Sequence, residues 1–353
     1  MGNIEKLFTT YSDLESVIIL NDVNRYYFCG YDASFGVLFL TPKKSFFITD
    51  ARYLEEAKTV ASSNYEVVLG DFNSALEFIK TYVSDNAIKS IGFENKTILF
   101  SEYNEIKKIS NVEFVPVSDK ILSLRAIKDE NEIELIREAS RISDKALLAL
   151  QKKIKAGVTE REVLAELEYQ MRLLGAHGVA FDTIVAFGKR TAFPHAHSDN
   201  TKLEKGMHIL IDFGAKYNHY CSDMTRILSL GEPSSEIKAL HADVLYAQNY
   251  ALSAMTAGLT GREIDSFARE YLKSCGYGDK FTHSLGHGLG LEIHESPAVS
   301  PKNFEELQEN MVVTCEPGVY IEGLGGIRIE DTVLIKNNGI ELLNSVSKEI
   351  IIL

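Results

Sequence analysis

Two aspartates stand beside apolar runs, where a bare carboxylate is costly. In the segment Lys202–Arg226 (KLEKGMHILIDFGAKYNHYCSDMTR), the runs Ile209–Ile211 and Met224–Leu228 flank a polar, turn-rich stretch and are predicted to be antiparallel neighbours. Asp212 and Asp223 lie at their edges. A carboxylate against buried apolar strands needs a positive partner, and no run of lysines supplies one. A metal ion would. Taken singly, each aspartate reads first as an ordinary strand-end or turn acid.

Other polar residues invite the same scrutiny. His287 sits in Ser284–Gly290 (SLGHGLG), where glycines permit close backbone approach. Those glycines lack the G-x-G-x-x-G spacing and the strand–turn–helix frame of a dinucleotide loop. Asp212-Phe213-Gly214 spells the kinase metal tripeptide, but no H-R-D loop accompanies it. Glu316-Pro317-Gly318 alone fits a surface turn. Arg328 and Glu330, two apart on one strand face, fit a plain salt bridge. His197, His208, His219 and His241 have no such frame and are assigned structural or surface places.

The balance changes because the second part of the chain repeats itself. Ala156–Val163 matches Ala257–Ile264, and both open helices with capping-box spacing, Thr159/Glu162 and Thr260/Glu263. Phe181–Gly188 falls opposite Phe281–Gly288. Met207–Gly214 falls opposite Met311–Gly318, which pairs Asp212 with Glu316. Asp223-Met224-Thr225 falls opposite Glu330-Asp331-Thr332, and His195 roughly opposite His294. The period, about 100 residues, is too long for a solenoid and implies two related halves about a pseudo-two-fold axis. Such an axis would gather four carboxylates, which would repel one another and take up protons unless cations neutralised them. Four acids and one imidazole make an oxygen-rich set for two divalent ions about 3.5–4 Å apart. That donor chemistry favours Mn²⁺, with Co²⁺ or Zn²⁺ as other occupants.

The elements that must position these residues follow two patterns. Residues 1–122 form a small α/β domain. Ser16–Leu20, Tyr26–Phe28, Val37–Leu40, Phe46–Thr49, Ile91–Phe93 and Phe114–Val117 are predicted strands. Pro42-Lys43-Lys44 is predicted as a hairpin turn. Asp50 is expected to cap a helix through Ala61, and Asn73 one through Val83. The polar segment Ser118–Asn131 marks the boundary. Residues 123–353 then open with a helical pattern from Asp129 to Ile154 and a second helix from Thr159 to near Gly175.

The chain has 353 residues and a net charge of −13, which argues against nucleic acid or an anionic membrane surface as a partner. No apolar run is long enough to span a bilayer, and no signal-peptide pattern opens the chain. Four scattered cysteines without a C-x-x-C pair fit a reducing cytoplasm. A cytoplasmic protein is expected.

At Asp212, Asp223, His287, Glu316 and Glu330 the chain resembles the pita-bread metallopeptidases: aminopeptidase P, prolidase, methionine aminopeptidase and relatives. The resemblance covers roughly residues 125–353, and the first domain is similar to the creatinase-like N-terminal domain of the proline-specific branch. It implies an α+β fold, with a small α/β domain followed by a duplicated catalytic domain. By resemblance, Asp212 holds one ion, His287 and Glu316 the other, and Asp223 and Glu330 bridge both. A hydroxide between the ions would be the nucleophile, with Glu316 as general base. His195 and His294 match a pair that supports the scissile carbonyl and its oxyanion, Arg328 matches an arginine orienting a ligand carboxylate, and Phe181 would line the substrate pocket.

The implied activity is Xaa-Pro aminopeptidase on short proline-containing peptides; the alternative is Xaa-Pro dipeptidase. Some dipeptidases of the family carry an arginine after the His-Glu pair, and here Ala298 occupies that place. Relatives that became peptide-binding modules lost ligands, whereas this chain keeps all five. The resemblance also implies a homodimer in which the N-terminal domain narrows access to the site.

Overall fold

In the computed structural model, which describes residues 2–61 and 65–353, the chain divides into two units, Met1–Arg125 and Ala126–Leu353. In the first unit, short apolar runs assemble a six-stranded sheet. Its strands are β1 (Val17–Ile19), β2 (Val37–Leu40), β3 (Phe46–Thr49), β4 (Glu66–Leu69), β5 (Ser90–Phe93) and β6 (Glu113–Pro116). The order is β4-β3-β2-β1-β5-β6, with β1, β2 and β3 antiparallel neighbours and the outer pairs parallel. Helices α1 (Asn3–Thr10), α2 (Asp22–Cys29), α3 (Leu54–Val60), α4 (Phe72–Asp85), α5 (Phe100–Ile106) and α6 (Ser118–Ala126) complete it.

Four local expectations are corrected here. Tyr26–Phe28 is helical: the Asn21 side chain accepts the Asn24 N–H, and Gly30 at φ +70° closes α2 in the left-handed region. These end signals prevail over an apolar run of strand length. Asp50 caps nothing, because its carboxylate accepts the Arg52 N–H at 2.9 Å and pairs with the Arg52 guanidinium, so α3 starts later. Asp71, not Asn73, caps α4, accepting the Ser74 N–H at 2.8 Å. The polar segment at the boundary is helical as far as Ala126, because Ile121 and Leu124 are buried.

The second unit shows the expected duplication. Its first half has α7 (Glu130–Gln151), α8 (Glu160–Leu173), β7 (Gly178–Val179), β8 (Ile184–Phe187), β9 (His208–Phe213), β10 (Ala215–Tyr217), β11 (Tyr220–Cys221) and β12 (Met224–Ser229). The second half has α9 (Ser235–Ala254), α10 (Gly261–Ser274), β13 (Gly286–Gly288), β14 (Glu295–Val299), β15 (Val312–Cys315), β16 (Gly318–Ile321), β17 (Gly325–Arg328), β18 (Asp331–Lys336), β19 (Gly339–Leu342) and β20 (Ile351–Ile352). The two larger sheets run β20-β12-β9-β8 and β14-β13-β15-β18-β19, so β8-β9-β12 corresponds to β13-β15-β18. Both predicted capping boxes form, at Thr159/Glu162 and Thr260/Glu263.

Strand alternation decides which side chains reach the site. On β9 and β12 every residue is buried. Ile209, Ile211, Phe213, Met224 and Leu228 pack into a core with α7 and α8 residues such as Leu147 and Leu167. Side chains alternate across a strand, so Asp212, Thr225 and Asp223 fall on the opposite face. In the second half, Val313, Cys315, Val333 and Ile335 join α9 and α10 residues in another core. Thr314, Glu316, Thr332 and Glu330 share the alternate parity. The two ladders differ in register: Thr225 faces Asp212, whereas Cys315 faces Asp331, which would bring Glu316 beside Glu330. The link between β9 and β12 is a hairpin whose two-residue loop, Asn218-His219, has both φ values positive.

Candidate metal centre

β9 and the start of β12 deliver Asp212 and Asp223; the end of β15 and the start of β18 deliver Glu316 and Glu330. His287 comes from the middle of β13. That strand is squeezed between β14 and β15: a Cβ on Gly286 would lie 2.0 Å from the Thr314 carbonyl oxygen, and one on Gly288 2.4 Å from that of Ser296. The glycines around His287 therefore serve close strand packing.

All the predicted site residues line one cavity of about 900 Å³: Asp212, Asp223, His287, Glu316, Glu330, His195, His294, Arg328 and Phe181. Asp223, His287 and Glu330 each offer a ligand atom within 4.8 Å of the other two. His287 Nε2 lies 3.5 Å from Asp223 Oδ2 and 3.3 Å from Glu316 Oε1. Its Nδ1 lies 3.1 Å from the Gly288 carbonyl oxygen, a bond that assigns the proton to Nδ1 and leaves the Nε2 lone pair facing the acids. The His294 ring packs edge-on against it, with centroids 4.3 Å apart.

A polar chain links carboxylates from both halves. Arg328 Nη2 donates to Asp212 Oδ2, so the i, i+2 salt bridge to Glu330 does not form. Arg328 Nε donates to Thr225 Oγ1 at 3.1 Å, and Thr225 Oγ1 donates to Glu330 Oε2 at 2.7 Å. Arg328 Nη1 meets the Tyr320 hydroxyl at 2.6 Å and the Pro194 carbonyl at 3.3 Å. One oxygen each of Asp212 and Glu330 is thereby satisfied. The other oxygens, Asp212 Oδ1 and Glu330 Oε1, together with Asp223 Oδ1, are buried without a donor.

Burial, then repulsion by the neighbouring acids, pushes the Asp223 and Glu330 carboxyls well above the ordinary range. Burial lifts Glu316 to about 8, with Asp212 adding to the effect. Burial, with His294 adding, lowers His287 to about 4, so its ring is neutral near pH 7. An imidazole lone pair thus faces a group of carboxylates in which Asp212 Oδ1, Asp223 Oδ1 and Glu330 Oε1 have no donor. Such a set fits divalent cations, which satisfy acceptors that no hydrogen-bond donor reaches.

His195 and His294 are exposed at the cavity wall, and Phe181 is half-buried there. Of the histidines assigned elsewhere, His208 is buried against Thr191 Oγ1 at 2.8 Å, His241 meets the Lys348 carbonyl at 3.0 Å and His219 lies in the hairpin loop. His197 lines the cavity. Sequence reasoning passed over His283, whose Nε2 meets the Tyr320 hydroxyl at 3.0 Å. Thr225 could have been found, since it lies two residues from Asp223 and matches Thr332 in the repeat. Thr332 Oγ1 donates to the Asp223 carbonyl at 2.9 Å.

Residues 134–337 match the model of metallopeptidase family M24, and residues 8–127 that of the creatinase/prolidase N-terminal domain. A Xaa-Pro dipeptidase of Pyrococcus furiosus is 42% identical over 354 residues, covering 99% of each chain. Among solved structures, an X-Pro aminopeptidase from Thermotoga maritima superposes with TM-score 0.91 at 42% identity, covering 97% of this chain and 98% of that one. A Xaa-Pro dipeptidase from Bacillus anthracis superposes with TM-score 0.94 at 39% identity, covering 99% of both.

Proposed function

The chain belongs to metallopeptidase family M24, and from that premise we propose that it is an Xaa-Pro aminopeptidase, removing the residue before a proline from short peptides. The observation that carries the proposal is the convergence of His287 Nε2 with donor-free carboxylate oxygens from both halves on one cavity. Asp212 would hold one ion, His287 and Glu316 the other, with Asp223 and Glu330 shared. When bound, two divalent ions, Mn²⁺ by donor type, supply Lewis acidity and a water acidified toward neutrality.

The side chains do the rest. Thr314 Oγ1 lies 3.2 Å from Glu316 Oε1 and orients that carboxylate, which takes a proton from the attacking water and returns it to the prolyl nitrogen. His195 and His294 present ring N–H groups to the scissile carbonyl oxygen as charge develops on it. Arg328 fixes Asp212 in place, and Phe181 offers an apolar wall. A prolyl nitrogen carries no N–H, so peptidases that must hydrogen-bond one fail on it; polarising the carbonyl avoids that requirement.

Ala298, which lines the cavity where a dipeptide-binding arginine would stand, supports the aminopeptidase reading. A second reading, Xaa-Pro dipeptidase, is favoured by the names of the Pyrococcus and Bacillus relatives. Hydrolysis of an Xaa-Pro dipeptide beside a matched Xaa-Pro-Yaa tripeptide, with Mn²⁺ and with EDTA, decides. Tripeptide cleavage abolished by EDTA is expected; cleavage of the dipeptide alone would replace the first reading with the second. The chain is further proposed to work as a homodimer, and a monomer mass by light scattering at assay concentration would refute that.

A further inference from the structure

Two guanidinium groups line the cavity, and they are in opposite states. Arg328 is fully engaged by Asp212, Thr225, Tyr320 and Pro194. Arg161 is not. It stands at the start of α8, which turns Arg161, Leu164 and Glu168 toward the cavity on one helix face. Its Nε donates to the Ser198 carbonyl at 3.4 Å, which anchors the guanidinium plane. Among the described residues, Nη1 and Nη2 have no acceptor, no carboxylate pairs with this arginine, and no lysine lines the cavity. The remaining charged residues on the wall, Glu168 and Asp182 with the ligand acids, are negative.

We infer that Arg161 receives the C-terminal carboxylate of a short peptide substrate, held by its open fork. The inference rests on the Xaa-Pro exopeptidase reading and deepens it. An unblocked short peptide carries one obligatory anion, its C-terminus, and Glu168 and Asp182 on the wall, which no bound ion would neutralise, disfavour that group unless a cation meets it. A planar guanidinium with two free N–H edges matches a carboxylate by paired hydrogen bonds. Ala298 cannot do this, and Arg161 on α8 is the cation of the same cavity whose fork is open. Free peptides would then be preferred over the same sequence with its terminus blocked, and Arg161 would set that preference.

The test compares kcat/KM for Xaa-Pro and Xaa-Pro-Ala as free acids and as C-terminal amides, with Mn²⁺, in the wild type, Arg161→Gln and Arg161→Lys. The wild type is expected to favour the acid about fivefold at one of the two lengths, the scale of an ion pair to an exposed arginine. Arg161→Gln should bring that ratio close to one, mainly through KM. Arg161→Lys, which keeps the charge without the fork, should fall between. An acid-to-amide ratio at both lengths that Arg161→Gln leaves unchanged overturns the inference while the exopeptidase reading stands. No turnover of any of the four peptides by the wild type overturns both.

Discussion

Replacing Thr225 by valine removes one hydroxyl from the centre of the site at almost constant volume. That hydroxyl accepts from Arg328 Nε at 3.1 Å and donates to Glu330 Oε2 at 2.7 Å, and the residue is fully buried. Valine leaves a guanidinium N–H without its acceptor and a carboxylate oxygen without its donor. Hydrogen bonds to charged groups contribute about 1.5–3 kcal/mol each, and losing a partner of a ligand side chain costs about 10–100-fold in metal affinity. We therefore expect Thr225→Val to weaken Mn²⁺ binding by about 10–100-fold, or roughly 1.4–2.7 kcal/mol. Thr225→Ser keeps the hydroxyl and loses one methyl, so it should cost about 1 kcal/mol of stability with little change in affinity. Calorimetric titration of metal-free protein measures the affinities, and urea denaturation in EDTA the stabilities. Wild-type affinity in the valine variant, or equal weakening in both variants, would refute a role for the hydroxyl in orienting Glu330.

Three further outcomes are expected. Glu316→Gln should cut kcat by about 10²–10⁴-fold, the range of a general base, whereas His287→Ala should lower the bound metal measured by elemental analysis; unchanged turnover in both would remove them from the site. Lys128 and Glu295 form an ion pair 3.3 Å apart with both side chains almost fully buried, so Lys128→Met should cost about 3–5 kcal/mol in urea unfolding, and pairing it with Glu295→Met should restore most of it; simple additivity would count against the pairing. Without metal, the folded state holds protons on Glu316, Asp223 and Glu330 that the unfolded chain releases. Their stabilising effect is full below about pH 4.5 and lost as pH rises toward about 8 for Glu316; thermal midpoints in EDTA should fall from pH 7 to 8, above the range in which the buried His208, His283 and His287, each lowered to about 4, act in the opposite sense, and constant or rising midpoints there would contradict it.

The four acids that gather in the cavity were legible in the sequence because the repeat paired acid with acid, and strand alternation then placed them on one face; Arg328 and Phe181 were legible only through the family resemblance. The partners that complete the site were harder to see. Tyr320 meets both Arg328 and His283 only after β16 and β17 fold into a ribbon, and no spacing rule announces those contacts. Arg328 lies two residues from Glu330, which favoured a local salt bridge, yet the fold brings it Asp212 from more than a hundred residues away. In the first unit, the helix at Asp22–Cys29 was missed because Tyr26–Phe28 is apolar and of strand length. Its cap residues, Asn21 and Gly30, carried the better signal.

The duplicated halves meet at the site without being copies of one another there. In a dimer of identical half-sized chains, every side chain near the axis would appear twice. Within one chain each position is free to diverge. Phe187, the counterpart of His287 in the repeat, is buried in the first half's core instead of facing the acids. Thr225 and Arg328 likewise belong to opposite halves, and the offset of two residues between the ladders gives Asp212 and Glu316 different neighbours. Joining the copies thus broke the symmetry of the centre: one end of the acid cluster carries an imidazole and the other a guanidinium. A reaction with distinguishable ends, an amino terminus on one side and a leaving prolyl group on the other, calls for a centre whose two ends differ.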